Sequence, residues 1–475
     1  MSFTPTFDIS TTAAACLINS SFDATEELLI EISRAHLIEQ GAEWGRWRLH
    51  DLVRKYALDA VKEAVGQEEA LLRVLTYYAE CSHAASLAVG GDLSSEEFSS
   101  RDDAFSWFDA EYENLIFGVD VTGKQEGLLW FAAHIPHRLA RYLDARRLYS
   151  EWRDMMTLAL QMAQEGGYEE LEANALNSLG MAYRELREIG QSVAFHEDAI
   201  AIARKVGDDE MLARYLNNAG NALREARDLD GALEAHSEAA RLFSAQDDEL
   251  GFARATDNAA SILRDLGRPS EAISMHEEAI ATFRQFGDRG GEATTLTHLG
   301  STLNDLGQYD EAAALHRNSA QLLLAQGRED AAAMAFGNLS NALRAVGDFR
   351  GAVSACREYL RLCLLIEDRF GEARARNQLG LLCADGGLFS KAIHNFEEGI
   401  KALADFEDLI LAGYLWANLG RTYGMMGEVA AAIESFSKAE GLFHRLKAPA
   451  DALSVRQIID VLSLWPPHGD SSEFE

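Results

Sequence analysis

The sequence predicts an all-α protein made of about eight stacked helical hairpins, preceded by a small module that also contains strands. Three observations predict this fold class. A pattern of small residues recurs every 40 residues without slippage through most of the chain. A second small residue follows the first after 12 positions, which lets two antiparallel helices approach closely. Only 6 prolines occur in 475 residues, as expected for a chain dominated by helices.

The repeated unit starts with a helix such as "LNSLGMAYRELRE", in which Leu or Ala precedes the first small residue. The first small residues are Gly180, Gly220, Ala260, Gly300, Ser340, Gly380 and Gly420. The second small residues are Ser192, Ala232, Ala272, Ala312, Ala352, Ala392 and Ala432. A degenerate first copy has Leu139-Ala140 and Ala159 on the same register. Because each hairpin can bury its apolar face only against a neighbour, we predict one repeat domain over residues 132–460.

The N-terminal residues follow a different pattern. We expect residues 1–12 to be disordered and residues 13–64 to form a winged-helix-like module, because a helix, a hairpin and a helix follow in that order. The first helix is "DATEELLIEISRA", and the hairpin "HLIEQGAEWGRWRL" has Gly41 and Gly45 in its turn. The second helix, "HDLVRKYALDAVKEA", begins with Asp51 as its N-cap.

Two arginines of this hairpin, Arg46 and Arg48, leave DNA binding open as an alternative function. The first helix is acidic, however, whereas recognition helices present Lys, Arg, Asn or Gln to the DNA. We therefore do not expect nucleic acid as a partner.

A helical linker is predicted over residues 65–131. Its apolar residues recur at helical spacing, at Phe105, Phe108, Tyr112, Leu115 and Val119. The stretch "GVDVTGKQ" at Gly118–Gln125 matches most of a phosphate-binding loop, but such a loop needs a preceding strand. Gln125 also stands where a Ser or Thr would bind Mg²⁺. We interpret the stretch as a helix end followed by a polar loop, and expect no nucleotide there.

The first helix of each repeat carries a polar surface that we call the groove face. It comprises the residues six and three before the first small residue, and one and four after it, which share one side of a helix. Eight arginines and one aspartate occupy these positions in a chain of net charge −33. Arg side chains bind carboxylates and Asn side chains pair with peptide backbone, so we predict that an acidic or extended peptide binds here. The predicted binding residues are Asn177, Arg184, Arg214, Asn217, Asn221, Arg224, Arg254, Arg264, Asn341, Arg344, Arg374 and Asn377.

A structural role for the same residues remains open. In three repeats the arginine is followed by an acid, at Glu185, Glu225 and Asp265. Arg–acid pairs between repeats could serve only the stability of the stack, and the Asn side chains could bond between repeats in the same way.

Four histidines also recur every 40 residues, at His196, His236, His276 and His316. In later repeats the same position holds Cys356, Phe396 and Phe436. Successive copies lie about 10 Å apart in packed helices, whereas the ligands of a metal ion lie near about 2 Å from it. We therefore predict a half-buried packing position and no metal site.

Composition excludes several classes of function. The balance of 43 Lys+Arg against 76 Asp+Glu argues against a general nucleic-acid-coating or anionic-membrane role. Five cysteines without a CxxC pair indicate a reducing compartment, and no apolar run is long enough to span a bilayer, so we expect a cytoplasmic protein. No catalytic motif is present, and we predict no enzyme and no cofactor. Residues 461–475, which include "WPPHGDSSEFE", are predicted to be disordered.

The 40-residue pattern resembles the tetratricopeptide repeat in a longer form, over residues from about 132 to 460. The resemblance implies a right-handed superhelix whose first helices line a concave groove. It also implies a protein or peptide partner, since members of that family bind such ligands. A homo-oligomer is compatible with the same resemblance.

A second resemblance joins the N-terminal residues to the repeats. "AHLIEQ…RWRLHDLVRKYA", followed by "AFSWFDAEYENLI" and the repeats, is similar to the carboxyl-terminal part of STAND regulators of the NB-ARC type, including AfsR-like transcriptional activators. The resemblance implies that His50 is a remnant of a nucleotide-sensing site beside an ADP phosphate. In that family a P-loop domain precedes the winged helix, whereas only a dozen residues precede it here. The chain is therefore expected to be a fragment or a stand-alone relative that lacks this domain.

These observations together predict a non-enzymatic sensor or scaffold that binds a protein or peptide and is related to a transcriptional regulator. A direct DNA-binding regulator is the first alternative. An enzyme that uses the concave groove as a pocket is the second, although the sequence offers no nucleophile or base for it.

Overall fold

The computed structural model of the protein describes residues 8–41, 43–49, 53, 66–91, 94–95, 97–123, 128–404, 409–446 and 448–463. The chain divides into two compact units, Met1–Leu242 and Phe243–Glu475. Helical hairpins make up most of both units, and the first unit also holds a small three-stranded sheet. The predicted fold class, an all-α stack of hairpins with a small mixed module, is therefore confirmed.

The N-terminal module contains a sheet and two helices. Its elements are β1 Ile9–Ser10, α1 Thr11–Ile18, α2 Phe22–Arg34, β2 Ile38–Gln40 and β3 Arg46–Leu49. Strand β3 lies between β1 and β2 and pairs antiparallel with both. The expected hairpin and the helix before it are thus present, and Gly45 adopts a left-handed backbone with φ of 79° in the turn. The helix expected from Asp51 lies outside the described residues.

The prediction of a disordered segment over residues 1–12 is corrected for residues 9–12. Strand β1 pairs with β3, and α1 follows it directly with Ser10 as N-cap. The Ser10 hydroxyl accepts a hydrogen bond from the Ala13 amide at 3.2 Å, which satisfies one of the unpaired amides of the first turn. A strand of two residues is too short to show an alternating pattern in the sequence. Residues 1–7 lie outside the described part of the chain.

Two long helices, α3 Gln67–Val89 and α4 Arg101–Thr122, follow this module. Helix α4 runs through Gly118 as the apolar spacing predicted, so a helix stands where a phosphate-binding loop would need a strand. Gly118 serves packing instead, because a Cβ there would lie 3.0 Å from Cε1 of Phe131. The described part of "GVDVTGKQ", residues 118–123, is therefore the end of a helix.

Arg46 is buried, which withdraws one of the two hairpin arginines from contact with DNA. Its guanidinium lies 2.6 Å from Asp8 Oδ1 and 2.7 Å from Glu111 Oε1 on α4. Glu111 is only 1% exposed and also accepts hydrogen bonds from two other buried side chains. The hypothesis of a DNA-binding wing with Arg46 and Arg48 is corrected accordingly: Arg46 fixes β3 to α4, whereas the Arg48 side chain is exposed.

The hairpins alternate between first and second helices. The first helices are α5 Leu129–Ala145, α7 Glu169–Glu185, α9 Asp209–Glu225, α11 Glu249–Asp265, α13 Arg289–Asp305, α15 Glu329–Val346, α17 Arg369–Asp385 and α19 Leu409–Met426. The second helices are α6 Tyr149–Gly166, α8 Ile189–Val206, α10 Leu229–Ala245, α12 Pro269–Phe286, α14 Tyr309–Leu324, α16 Phe349–Leu365, α18 Phe389–Ala402 and α20 Val429–Arg445. Helix α21 Pro449–Ser463 packs on α20. It includes residues 461–463, so the prediction of a disordered tail is corrected there, and residues 464–475 lie outside the described chain.

The described turns of this region place one residue in the left-handed backbone conformation at intervals of 20 residues. These residues are Arg147, Gly167, Arg187, Gly207, Arg227, Asp247, Gly267, Gly287, Gly307, Gly327, Gly347, Glu367, Gly387 and Gly427. Gly is favoured at such a helix end because it has no Cβ. Several of the following helices start at an Asp N-cap, such as Asp288, which accepts a hydrogen bond from the Gly291 amide at 2.9 Å.

The two small residues of a repeat face each other where its helices cross. The Ser192 hydroxyl donates to the Gly180 carbonyl at 2.6 Å, across the first and second helix of one hairpin. The recurrent histidine of the second helix packs over the first small residue, since a Cβ at Gly180 would lie 2.7 Å from the His196 ring. His196, His236, His276 and His316 are all 0% exposed. The prediction of a packing position is supported, but the expectation that it is half-buried is wrong.

Within each unit, first helices of successive hairpins contact one another. The contacting helices are α5, α7 and α9 in the first unit, and α11, α13, α15, α17 and α19 in the second. Each second helix of the second unit contacts the first helix of its own hairpin and the helix that follows it in the chain. Neighbouring first helices therefore place their groove faces side by side within each unit.

Candidate functional site

Ion pairs join the groove faces of successive first helices at a fixed spacing, from residue i on one helix to residue i+41 on the next. The pairs are Arg184–Glu225 at 3.7 Å, Arg264–Asp305 at 3.5 Å and Arg344–Asp385 at 2.6 Å. Arg184 and Arg264 also contact the acid that follows each of them in the chain. Pairs of this kind that are partly exposed contribute about 0–1 kcal/mol each. Three predicted binding arginines thus have carboxylate partners within the chain, as the structural interpretation expected.

Asparagines form a second row with the same spacing. The Asn218 amide donates to Asn177 Oδ1 at 3.1 Å, and the Asn418 amide donates to Asn377 Oδ1 at 2.9 Å. Asn217 takes part in a different contact, because its Oδ1 lies 3.1 Å from His236 Nδ1 on the second helix of its own hairpin. The acceptors of this row are among the predicted binding residues, whereas the donors are not, since they stand one position further along in the next repeat.

Asp257 is the charged member of the asparagine row. It is buried on α11, with Oδ1 2.7 Å from His276 Nδ1 on α12 and Oδ2 2.8 Å from His298 Nδ1 on α13. Burial alone would raise the pKa of the Asp257 carboxyl, but the adjacent His298 and His276 hold it well below its usual range. The contact to His298 has the spacing of the Asn–Asn bonds, and the contact to His276 has the spacing of Asn217 and His236. This carboxylate therefore links three helices of two hairpins.

The remaining predicted binding residues differ in their accessibility. Arg214, Arg254, Arg374 and Asn341 are exposed, whereas Asn221 and Arg224 are half-buried. Arg254 Nη2 lies 3.0 Å from Asp288 Oδ2. Within the described part of the chain, neither Arg214 nor Arg374 forms an ion pair.

Three side chains on the groove face of α17 and α19 were not among the predicted binding residues. Tyr414 is 42% exposed, and its hydroxyl donates to Asp451 Oδ1 at 3.3 Å. Arg421 is exposed and has no ion-pair partner in the described residues, and Leu381 is half-buried. All three stand in the predicted columns, but Leu381 and Tyr414 are neither Arg nor Asn, and Tyr414 and Arg421 belong to the last repeat, from which no binding residue was predicted.

No chemical site other than the groove face emerges from the described residues. They contain no group of three His, Cys, Asp or Glu side chains able to hold a metal ion. None of the described helices combines the length and apolar character that crossing a bilayer requires. His50, assigned by resemblance to a nucleotide-sensing site, lies outside the described chain.

Sequence comparison adds independent support for the repeat. Residues 171–245 and 251–325 match the sequence profile of the tetratricopeptide repeat. The matched segments span α7 to α10 and α11 to the turn after α14, so the match extends over hairpins of both units. A search of curated proteins finds no match to the sequence.

Several solved structures resemble the chain at low sequence identity. A STAND protein with a tetratricopeptide repeat sensor from Pyrococcus horikoshii has a TM-score of 0.61 and 13% identity, and the match covers 95% of this chain and 63% of that one. Aspartyl phosphate phosphatase F from Bacillus subtilis has a TM-score of 0.46 and 13% identity, with 83% and 96% covered. The quorum sensor NprR from B. thuringiensis has a TM-score of 0.40 and 14% identity, with 67% and 99% covered. At 13% identity the likeness to the Pyrococcus horikoshii protein shows the fold alone. The chain spans less than two thirds of the length of the archaeal protein.

Proposed function

We propose that the chain is a non-enzymatic sensor or scaffold that binds a protein or peptide segment on its groove face. One observation carries the proposal. Arginines on one face of the first helices divide into a group that pairs with acids of the next hairpin and a group that is exposed without such a partner. An arginine that only stabilises the stack of hairpins would be expected to pair with an acidic side chain of the chain itself. Arg374 forms no ion pair among the described residues.

The fold comparison gives limited support of a different kind. The Pyrococcus horikoshii protein is described as a STAND protein whose repeats act as a sensor, and the likeness to it extends over 95% of this chain. We extend the sensor role to this chain as part of the proposal. The relation to NB-ARC-type transcriptional regulators, the winged-helix-like nature of the N-terminal module and the role of His50 belong to the same proposal and rest on the sequence resemblance.

A photo-crosslinking amino acid tests the proposed surface directly. We would place it at Asn341, which is exposed on the groove face of α15, and at Arg361, which is exposed on the second helix α16. In the native cell, the groove-face position is expected to capture one defined partner and the second-helix position is expected not to. Equal capture from both positions would contradict binding on the groove face, and no capture from Asn341 would contradict binding on the groove face of α15.

A further inference from the structure

The groove faces of α17 and α19 carry a set of side chains that suggests the chemistry of the ligand, provided that the proposed function holds. We call this set the α17–α19 patch. It consists of Arg374, Asn377 and Leu381 on α17 and of Tyr414 and Arg421 on α19. The two helices are in contact, and Asn418 of α19 bonds Asn377 of α17 across their interface.

The two arginines of the patch differ from those of the neighbouring first helices. Arg344 on α15 reaches Asp385 on α17 at 2.6 Å, and Arg264 on α11 has two acids within 3.5 Å. Arg374 and Arg421 are both exposed, and neither has an ion pair in the described chain. A chain with net charge −33 supplies acids in excess, so cations left unpaired on this face fit an external carboxylate.

The patch also has an apolar component. The ring of Tyr414 is 42% exposed, while its hydroxyl is held by Asp451 and its ring packs edge-on against Phe443. Leu381 packs on the core of its hairpin and stays half-buried. An aromatic ring held at its hydroxyl and along one edge loses little freedom when an apolar side chain is placed on it.

The register places these groups at the corners of a rectangle. Arg374 and Tyr414 are six residues before the first small residue of their repeats, and Leu381 and Arg421 are one residue after it. Seven residues along a helix cover about 10 Å, and packed helices lie about 8–10 Å apart. The arginines therefore occupy one diagonal, about 14 Å long, and the apolar side chains occupy the other.

Asn377 lies on the α17 side of this rectangle, between Arg374 and Leu381, and its side chain bonds Asn418 on the α19 side. Its Oδ1 accepts from Asn418, and its Nδ2 has no hydrogen-bond partner among the described residues. This amide nitrogen can donate to the backbone carbonyl of a bound strand. An extended peptide advances about 3.3 Å per residue, so that about four residues span the diagonal between the arginines.

We propose that the α17–α19 patch binds an extended peptide segment of another protein, in which a large apolar side chain lies between two carboxylates about four residues apart. The carboxylates pair with Arg374 and Arg421, the apolar side chain packs on Tyr414 and Leu381, and Asn377 bonds the backbone. This part of the groove face includes the last two predicted binding residues, Arg374 and Asn377, and extends beyond them to Tyr414 and Arg421.

Selection from a random peptide library displayed on phage tests this inference with the full chain. The wild-type chain is expected to enrich peptides with Asp or Glu at two positions about four apart and a large apolar residue between them. The double variant Arg374→Gln with Arg421→Gln is expected to lower their recovery about tenfold or more. The matched control is Arg361→Gln, which removes an exposed arginine of the second helix α16 and is expected to select like the wild type.

The possible failures are distinct. If the wild type enriches peptides without the paired carboxylates, or if the double variant retains the selected peptides, the inference is wrong while peptide binding itself stands. If no peptide is enriched and the crosslinker at Asn341 captures nothing, the proposed function is wrong and the inference fails with it. Circular dichroism of each variant confirms that helicity is retained.

Discussion

His276 Nδ1 lies 2.7 Å from Asp257 Oδ1, and both side chains are buried between two helices of one hairpin. His196 occupies the equivalent position of an earlier repeat, and neither of its ring nitrogens has a hydrogen-bond partner among the described residues. The same residue type in the same column therefore performs two different tasks. One histidine contacts a buried carboxylate, and the other only fills space beside a small residue.

Replacing these two histidines by phenylalanine is expected to have opposite effects. The residue type fits the column, because Phe396 and Phe436 pack over Gly380 and Gly420 there. His276→Phe leaves Asp257 with one histidine and is expected to lower the free energy of unfolding by about 3 kcal/mol. His196→Phe removes two unsatisfied polar atoms and is expected to raise it by about 1–2 kcal/mol. Urea denaturation followed by circular dichroism measures both, and effects of the same sign would contradict this assignment.

The stability of the chain should also depend on pH through His196. Burial lowers the pKa of His196 to about 3, with a smaller contribution from Arg184. The unfolded chain binds a proton at this histidine below about pH 6.5, while the folded chain does not until far lower pH. The free energy of unfolding therefore decreases as the pH falls. This one histidine accounts for a decrease of about 2 kcal/mol between pH 6.5 and 5. Below pH 6.5, His196→Phe should show a shallower pH dependence than wild type. Parallel curves would argue that His196 is protonated in the folded chain.

The contact between Arg46 and Glu111 is expected to hold the N-terminal sheet on α4. Glu111→Gln leaves the Arg46 guanidinium buried with one carboxylate partner fewer, which is expected to cost about 3 kcal/mol. Hydrogen exchange at the β3 amides is the measurement, and their protection should fall while that of the hairpins is unchanged. The control is Arg48→Gln, since the exposed pair of Arg48 with Glu39 at 3.4 Å is expected to contribute less than about 1 kcal/mol. Equal loss of protection in both variants would contradict a special role for the buried pair.

The sequence was sufficient for the elements that repeat. The spacing of small residues predicted the hairpins, because a close helix crossing tolerates little volume at both positions, as the contact between Ser192 and Gly180 shows. Apolar spacing likewise predicted the helix through Gly118. The strand β1 escaped prediction, since its two residues are stabilised by pairing with β3, which lies more than 35 residues later in the chain.

The sequence predicted which helix positions form the candidate site, but it did not predict which of these side chains pair with one another. The columns follow from helix geometry alone, whereas a hydrogen bond from residue i to residue i+41 depends on how one hairpin is placed on the next. Arg344 and Arg374 both stand in the predicted columns, and only the structure shows that Arg344 pairs with Asp385 whereas Arg374 is exposed without an ion pair in the described residues. The twenty-residue spacing of the turns was also not visible in the sequence. Arg, Asp and Glu stand at the left-handed position of several turns in place of Gly.

We propose that exposed, unpaired arginines of the groove face bind the ligand and that paired ones hold the stack together. Calorimetric titration of the most enriched library peptide into the wild type, Arg374→Gln and Arg344→Gln separates these two roles. Arg374→Gln is expected to weaken binding about tenfold or more without changing stability. Arg344→Gln should leave the affinity within about twofold and lower stability by at most about 1 kcal/mol. Equal loss of affinity in both variants, or loss only in Arg344→Gln, would show that exposed and paired arginines do not differ in this way.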